Sequence, residues 1–118
     1  MAEKKVIEII KTYISVLNQA GISIQKAFLY GSYARGEATK HSDIDIMLVS
    51  PLFDNSDNEA NIKAWSCTRK VDTRIEPYTV GLQKYLTDDV SPLLQIVKKE
   101  GIEIKITNQK INLIKKTI

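Results

Sequence analysis

Two aspartates, Asp43 and Asp45, stand ten residues (Tyr33 to Ser42) beyond a glycine–serine pair, Gly31 and Ser32. From Asp43 the chain runs to Ser50, with the acids alternating with Ile44, Ile46 and Leu48. A strand alternates its side chains with period two, so both acids face one way while the aliphatic residues face a core. Their Cα atoms then lie about 6–7 Å apart, two rises of roughly 3.3 Å. Neighbouring carboxylates repel unless a positive charge sits between them. A hard divalent cation, Mg²⁺ or Mn²⁺, suits oxygen ligands of this kind and shares them readily with phosphates. The earlier pair offers a place for those phosphates. Gly31 can turn the chain after the apolar run Ala27 to Tyr30. Ser32 reads as the N-cap of a helical turn, Tyr33-Ala34-Arg35, closed by Gly36. The N–H groups of such a turn face an anion, the Ser32 hydroxyl adds a donor, and Arg35 and Lys40 add charge.

This pattern resembles the nucleotidyltransferase superfamily that includes DNA polymerase β and kanamycin nucleotidyltransferase. Within it the chain looks most like the minimal nucleotidyltransferases (MNT), whose signature is Gly-Ser, ten residues, Asp-x-Asp. Gly31, Ser32, Asp43 and Asp45 fill that signature without departure. The resemblance implies a two-layer α/β fold with a mixed sheet and helices packed on it. It implies that Asp43 and Asp45 hold one or two Mg²⁺ or Mn²⁺ ions while Gly31 and Ser32 cradle the phosphates of a nucleoside triphosphate. ATP is the expected substrate, although nothing in the sequence reads the base.

The resemblance also implies a third carboxylate on a later strand, and two acids fit: Glu76 in Ile-Glu-Pro and Asp72 in Val-Asp-Thr. Glu76 is favoured, because the residues left before the next loop suit it and some relatives carry a similar Arg-Ile-Glu-Pro string. The family more often uses aspartate there. Whichever acid is not the ligand can pair with Arg74.

By the same resemblance, the expected activity is transfer of AMP from ATP to a partner protein, as when an MNT antitoxin adenylylates a small helical HEPN-domain toxin. The alternatives are a small-molecule transferase subunit of aminoglycoside type and a non-catalytic antitoxin acting by binding alone; the intact acids argue against the last. Only 42 residues follow Glu76, which reads as enough to finish the core but not to wall an acceptor pocket. A hetero-complex is therefore expected, with a homodimer left open.

The elements that must position these residues follow from the pattern around them. Val6, Ile9, Ile10, Tyr13, Leu17 and Ala20 recur at helical spacing, which predicts a helix from Glu3 to Ala20 ended by Gly21. Strands are predicted over Ser23 to Tyr30 and Asp43 to Ser50, joined by a polar loop, Glu37 to Ser42, that contains the single histidine, His41. Pro51 to Asp57 reads as a turn, and Asp57 or Asn58 as the cap of a helix reaching Lys70. Val71 to Val80 alternates as a strand, and Pro77 marks it as an edge or as a break in pairing. A helical turn is expected around Leu82 to Leu86. Ser91 and Pro92 start a further helix closed by Gly101, followed by a short strand over Ile102 to Ile106.

At 118 residues this is one domain, expected over residues 1–107, with a basic tail at 108–118 that is either amphipathic or frayed. Apolar residues at 43% and charged ones at 26% are near the globular average, which argues against disorder. A single cysteine, Cys67, excludes an internal disulfide and suits a reducing cytoplasm. The sequence holds no long apolar run and no signal-like start, so no membrane association is expected. From Lys98 onward six lysines face two glutamates, whereas residues 1–97 hold eleven basic against twelve acidic side chains. The net charge of +3 thus belongs to the end of the chain and does not suggest a nucleic-acid track.

Overall fold

The computed structural model describes residues 3–55, 58–87 and 90–106. The expected tail at 108–118 and the alternative cap Asp57 lie outside them. Helix α1 (Lys4–Gln19) buries Val6, Ile10, Tyr13, Ile14 and Leu17 on one stripe, at the three- and four-residue spacing of its apolar pattern. Strand β1 (Lys26–Tyr30) follows, then the four-residue helix α2 (Ser32–Arg35) and strand β2 (Ile44–Ser50). A 3-10 turn at Pro51–Asp54 leads to helix α3 (Glu59–Thr68) and strand β3 (Ile75–Gly81). Helices α4 (Leu82–Thr87) and α5 (Pro92–Glu100) and the short strand β4 (Ile102–Glu103) complete the fold.

The strands form one mixed sheet in the order β3-β2-β1-β4. β1 pairs antiparallel with both β2 and β4, and β2 pairs parallel with β3. β2 is buried on both faces. Ile44, Ile46 and Leu48 join Ala27, Leu29 and Ile75 in a core closed by α1 and by Ala64 and Cys67 of α3. Met47 and Val49 join Phe28 and Val80 in a smaller core under Leu94 and Val97 of α5. Each fully buried Val, Leu, Ile or Met among them contributes about 1.5–3 kcal/mol. The Tyr13 hydroxyl donates to the Ala64 carbonyl at 2.6 Å, tying α1 to α3 across the larger core. Burial there pushes its pKa up.

Several boundaries differ from the sequence expectation. β1 starts at Lys26 rather than Ser23, after Ile22 and Ile24 have already turned into the core. β3 starts at Ile75 rather than Val71. Residues 71–74 instead wind off the end of α3, with the Val71 and Asp72 N–H groups donating to Thr68 O at 3.1 and 2.9 Å. Alternation in Val-Asp-Thr-Arg imitates a strand, but these local hydrogen bonds win. Pro77 sits on an edge strand, as one of its two readings requires, and pairing runs past it to Gly81. The last strand is two residues long instead of five. Among the described residues no helix is long and apolar enough to cross a membrane.

Candidate active site

The register of the sheet lines up the acids. Asp45 stands opposite Tyr30 of β1 on one side and Glu76 of β3 on the other. Tyr30, Asp45 and Glu76 therefore form one row across three strands, on the face that carries Met47 and Val49 further along β2. Asp43 immediately precedes β2. Asp72 is not in this row. It lies in the turn before β3, where the Arg74 guanidinium donates to both its oxygens, Nε to Oδ1 at 3.1 Å and Nη2 to Oδ2 at 2.9 Å.

Electrostatics separates the two candidate third acids. The Arg74 side chain holds the Asp72 carboxyl below the usual range. Glu76 is pushed up, first by a hydrogen bond with Asp43, then by partial desolvation and the charges of Asp43 and Asp45. Asp45 is also pushed up, by burial first and by Asp43 next, with the Arg35 charge opposing. Tyr30, half-buried beside them, is raised to about 12 by burial and then by Asp45, Tyr78 and Glu76. The row is thus a cluster of negative charge that a cation would relieve.

Gly31 connects this row to the turn of α2. With φ 77° and ψ −152° it lies where residues other than glycine are strained, and a Cβ there would land on the Asp45 carboxylate. Glycine thus lets the backbone close on the acid. It is also the residue that caps α2, in place of the serine expected from sequence; Ser32 is the first helical residue. Gly36 ends α2 in the left-handed conformation, and the Glu37 N–H reaches back to Ser32 O at 2.9 Å. The N–H groups of Ser32 and Tyr33, in the first turn, have no intrahelical acceptor.

Arg35 is at the site's margin, with its guanidinium on Glu37 at 2.9 Å and on Glu100 of α5 at 3.4 Å. Its charge still reaches Asp45. Lys40 is exposed in the loop, and the structure does not bring it to the acids. His41 is exposed there too.

The loop is anchored by a network that the sequence did not disclose. The Arg74 Nη1 donates to the Tyr33 hydroxyl at 3.0 Å, and that hydroxyl donates to Thr39 O at 3.2 Å. The Thr39 N–H donates to Ser42 Oγ at 2.9 Å, and the Ile44 N–H to Arg74 O at 2.8 Å. Asp72, Arg74 and Tyr33 therefore hold the loop that delivers Asp43. Tyr30 was also missed as a neighbour of the acids, and Tyr78 as a neighbour of Tyr30. Tyr30 ends the apolar run before Gly31, but only the pairing register places it beside Asp45.

The oxygen donors Asp43, Asp45 and Glu76 suit Mg²⁺ or Mn²⁺ by their chemistry. Among the described residues, no group of three or more His, Cys, Asp or Glu side chains is gathered so that it could hold a metal ion as it stands. That does not count against the fit, because Mg²⁺ usually takes one or two carboxylates and fills its shell with phosphate oxygens and water. A groove of about 680 Å³ opens beyond Glu76, between α3 and the outer edge of β3, and Asp43, Glu76, Ile62, Trp65 and Arg69 line it.

The sequence profile of the nucleotidyltransferase domain family matches residues 4–118. The chain belongs to that family. Among solved structures, this nucleotidyltransferase domain is similar to a toxin-antitoxin structure with AMP-PNP, at 27% identity and a TM-score of 0.55, covering 87% of this chain and 78% of that one. It is similar to an MntA-HpeT toxin-antitoxin structure carrying a tyrosine-to-alanine mutation, at 29% identity and a TM-score of 0.53, covering 86% and 76%. A Sulfolobus solfataricus protein assigned as a nucleotidyltransferase shares the fold, at 14% identity and a TM-score of 0.58, covering 84% and 78%. No curated protein sequence matches the chain.

Proposed function

We propose that this nucleotidyltransferase transfers AMP from ATP to a hydroxyl, a tyrosine's, on a small helical partner protein of HEPN type, and so acts as the antitoxin of a toxin–antitoxin pair. The observation that carries the reading is the close approach of Gly31 to Asp45 with Glu76 in register beside it. It supports the reading because it brings the start of α2 directly against a row of acids. The likeness to toxin–antitoxin structures, one with AMP-PNP, supports the partner and the nucleotide.

In this mechanism Gly31 and Ser32 hold the β- and γ-phosphates through backbone N–H groups and the Ser32 hydroxyl. Asp43, Asp45 and Glu76 would hold one or two Mg²⁺ ions, which when bound neutralise phosphate charge and stabilise the attacking and leaving oxygens. Arg35, at the margin, favours the ionised form of Asp45. Glu76 orients the acceptor hydroxyl and takes its proton. The hydroxyl oxygen bonds to the α-phosphorus as the bond from that phosphorus to the bridging oxygen breaks, and pyrophosphate leaves on the Gly31 side. Asp72 takes no part in the transfer. The domain is assigned to residues 1–107.

The test is incubation of the purified chain with ATP labelled at the α-phosphate, with and without a HEPN-type protein encoded beside it. Label should pass to that protein and be lost with Asp45→Asn. Efficient labelling of a small molecule by the chain alone would overturn the partner-protein reading.

A further inference from the structure

Helix α3 has two faces of different kinds. Ala64, Cys67 and Thr68 are buried against the sheet. Ile62, Trp65 and Arg69, three and four residues apart, form a stripe that points away from it. Ile62 is 62% exposed and Trp65 47% exposed, unusual for the largest apolar side chain in the sequence. The helix is held in place from beside this stripe, where the Thr79 hydroxyl of edge strand β3 donates to Asn61 Oδ1 at 2.7 Å. The stripe is thus the wall of a groove that ends at Asp43 and Glu76.

The order of the strands gives this groove a direction. Gly31 and Ser32 follow β1 on one side of β2, while Glu76 and the groove lie on the other, at β3. In phosphoryl-type transfer the attacking and leaving oxygens are roughly in line through phosphorus. With pyrophosphate leaving toward Gly31, the attacking hydroxyl arrives from the β3 side, through the groove. The groove's chemistry matches a peptide: apolar Ile62 and Trp65 for its side chains, Arg69 for an acidic one.

We infer that the groove between α3 and the edge of β3 is the acceptor site, in which Trp65 anchors the partner segment that carries the hydroxyl and Arg69 pairs with an acid beside it. The inference rests on the transfer proposed above and adds the surface that recognises the acceptor. Trp65 acts by positioning, since it lies along the helix from the acids rather than among them.

Trp65 is the only tryptophan of the chain, which makes it a single-site reporter. With 5-fluorotryptophan incorporated, the fluorine resonance should shift when a HEPN-type partner protein, of the kind proposed above, is added, and stay put with Mg²⁺ and AMP-PNP alone. Trp65→Ala should raise the KM for that protein about tenfold or more, as loss of an interface anchor does, with kcat and AMP-PNP affinity close to wild type. Trp65→Phe should restore most of the loss, and Arg69→Glu should raise KM as well. A resonance moved by AMP-PNP alone, with weaker nucleotide binding in Trp65→Ala, would make the groove a nucleoside site and overturn the inference. Unchanged KM in Trp65→Ala would overturn it while leaving the transfer reading intact. Absence of transfer by the wild-type chain would instead bring down that reading, and the inference with it.

Discussion

Asp72 and Glu76 are four residues apart in one stretch of chain, and their surroundings drive them in opposite directions. Asp72 has a guanidinium on both oxygens and titrates below the usual range. Glu76 faces Asp43 and Asp45 and titrates above it. One acid is satisfied by the fold alone, and the other is left in a repulsive group that a proton or a bound cation relieves. The comparison teaches how to tell a structural carboxylate from a chemical one. Asp72 has a fixed cation from its own chain, whereas Glu76, the acid proposed for the chemistry, has only other acids beside it.

The largest test of this contrast is kinetic. Glu76→Gln should lower AMP transfer about a hundredfold or more, the range a positioned base contributes, whereas Asp72→Asn should lower it only through a loosened loop. Steady-state rates on the partner protein decide it, and reversed outcomes would make Asp72 the third acid. Gly31→Ala comes next. It should cost about 1–3 kcal/mol of folding stability, measured by denaturant unfolding, because it combines a strained backbone with a clash on Asp45. AMP-PNP affinity should fall with it.

The smallest effects carry opposite signs. Asp45 titrates higher in the folded chain than in the unfolded one, so the metal-free fold binds the extra proton and loses stability as pH rises through that window. Asp45→Asn should therefore raise the melting temperature of the metal-free chain at neutral pH, with the gain fading toward about pH 3. Asp72 titrates lower when folded, so its contribution is present above the ordinary carboxylate value and lost as pH falls through the folded one. Asp72→Asn should lower the melting temperature slightly at neutral pH and not in acid. Equal shifts in one direction would end the contrast.

The sequence was informative where chemistry and backbone are encoded within a few residues. Gly31, Ser32, Asp43 and Asp45 could be read because turn, helix start and strand alternation are local rules. The aliphatic face of β2 was legible for the same reason. Register was not local. That Glu76 stands opposite Asp45, and that Tyr30 borders both, follows from how β1, β2 and β3 slide past one another. Residues 71–74 misled because polar–apolar alternation also describes a chain unwinding from a helix, and hydrogen bonds to Thr68 decided the outcome. The link from Arg74 to Tyr33 spans 41 positions and left no trace in either segment.

In the proposed function the acids opposite Gly31 form a cation-dependent nucleotide site to which Asp72 is external. Calorimetric titration of AMP-PNP into the wild-type chain, Asp45→Asn and Asp72→Asn, each with Mg²⁺ and with EDTA, tests it most directly. The account predicts that EDTA weakens binding about tenfold or more in the wild type and in Asp72→Asn, and that Asp45→Asn loses most of the Mg²⁺-dependent part. Equal affinity with Mg²⁺ and with EDTA in the wild-type chain, or a metal dependence lost with Asp72→Asn and kept with Asp45→Asn, would contradict it.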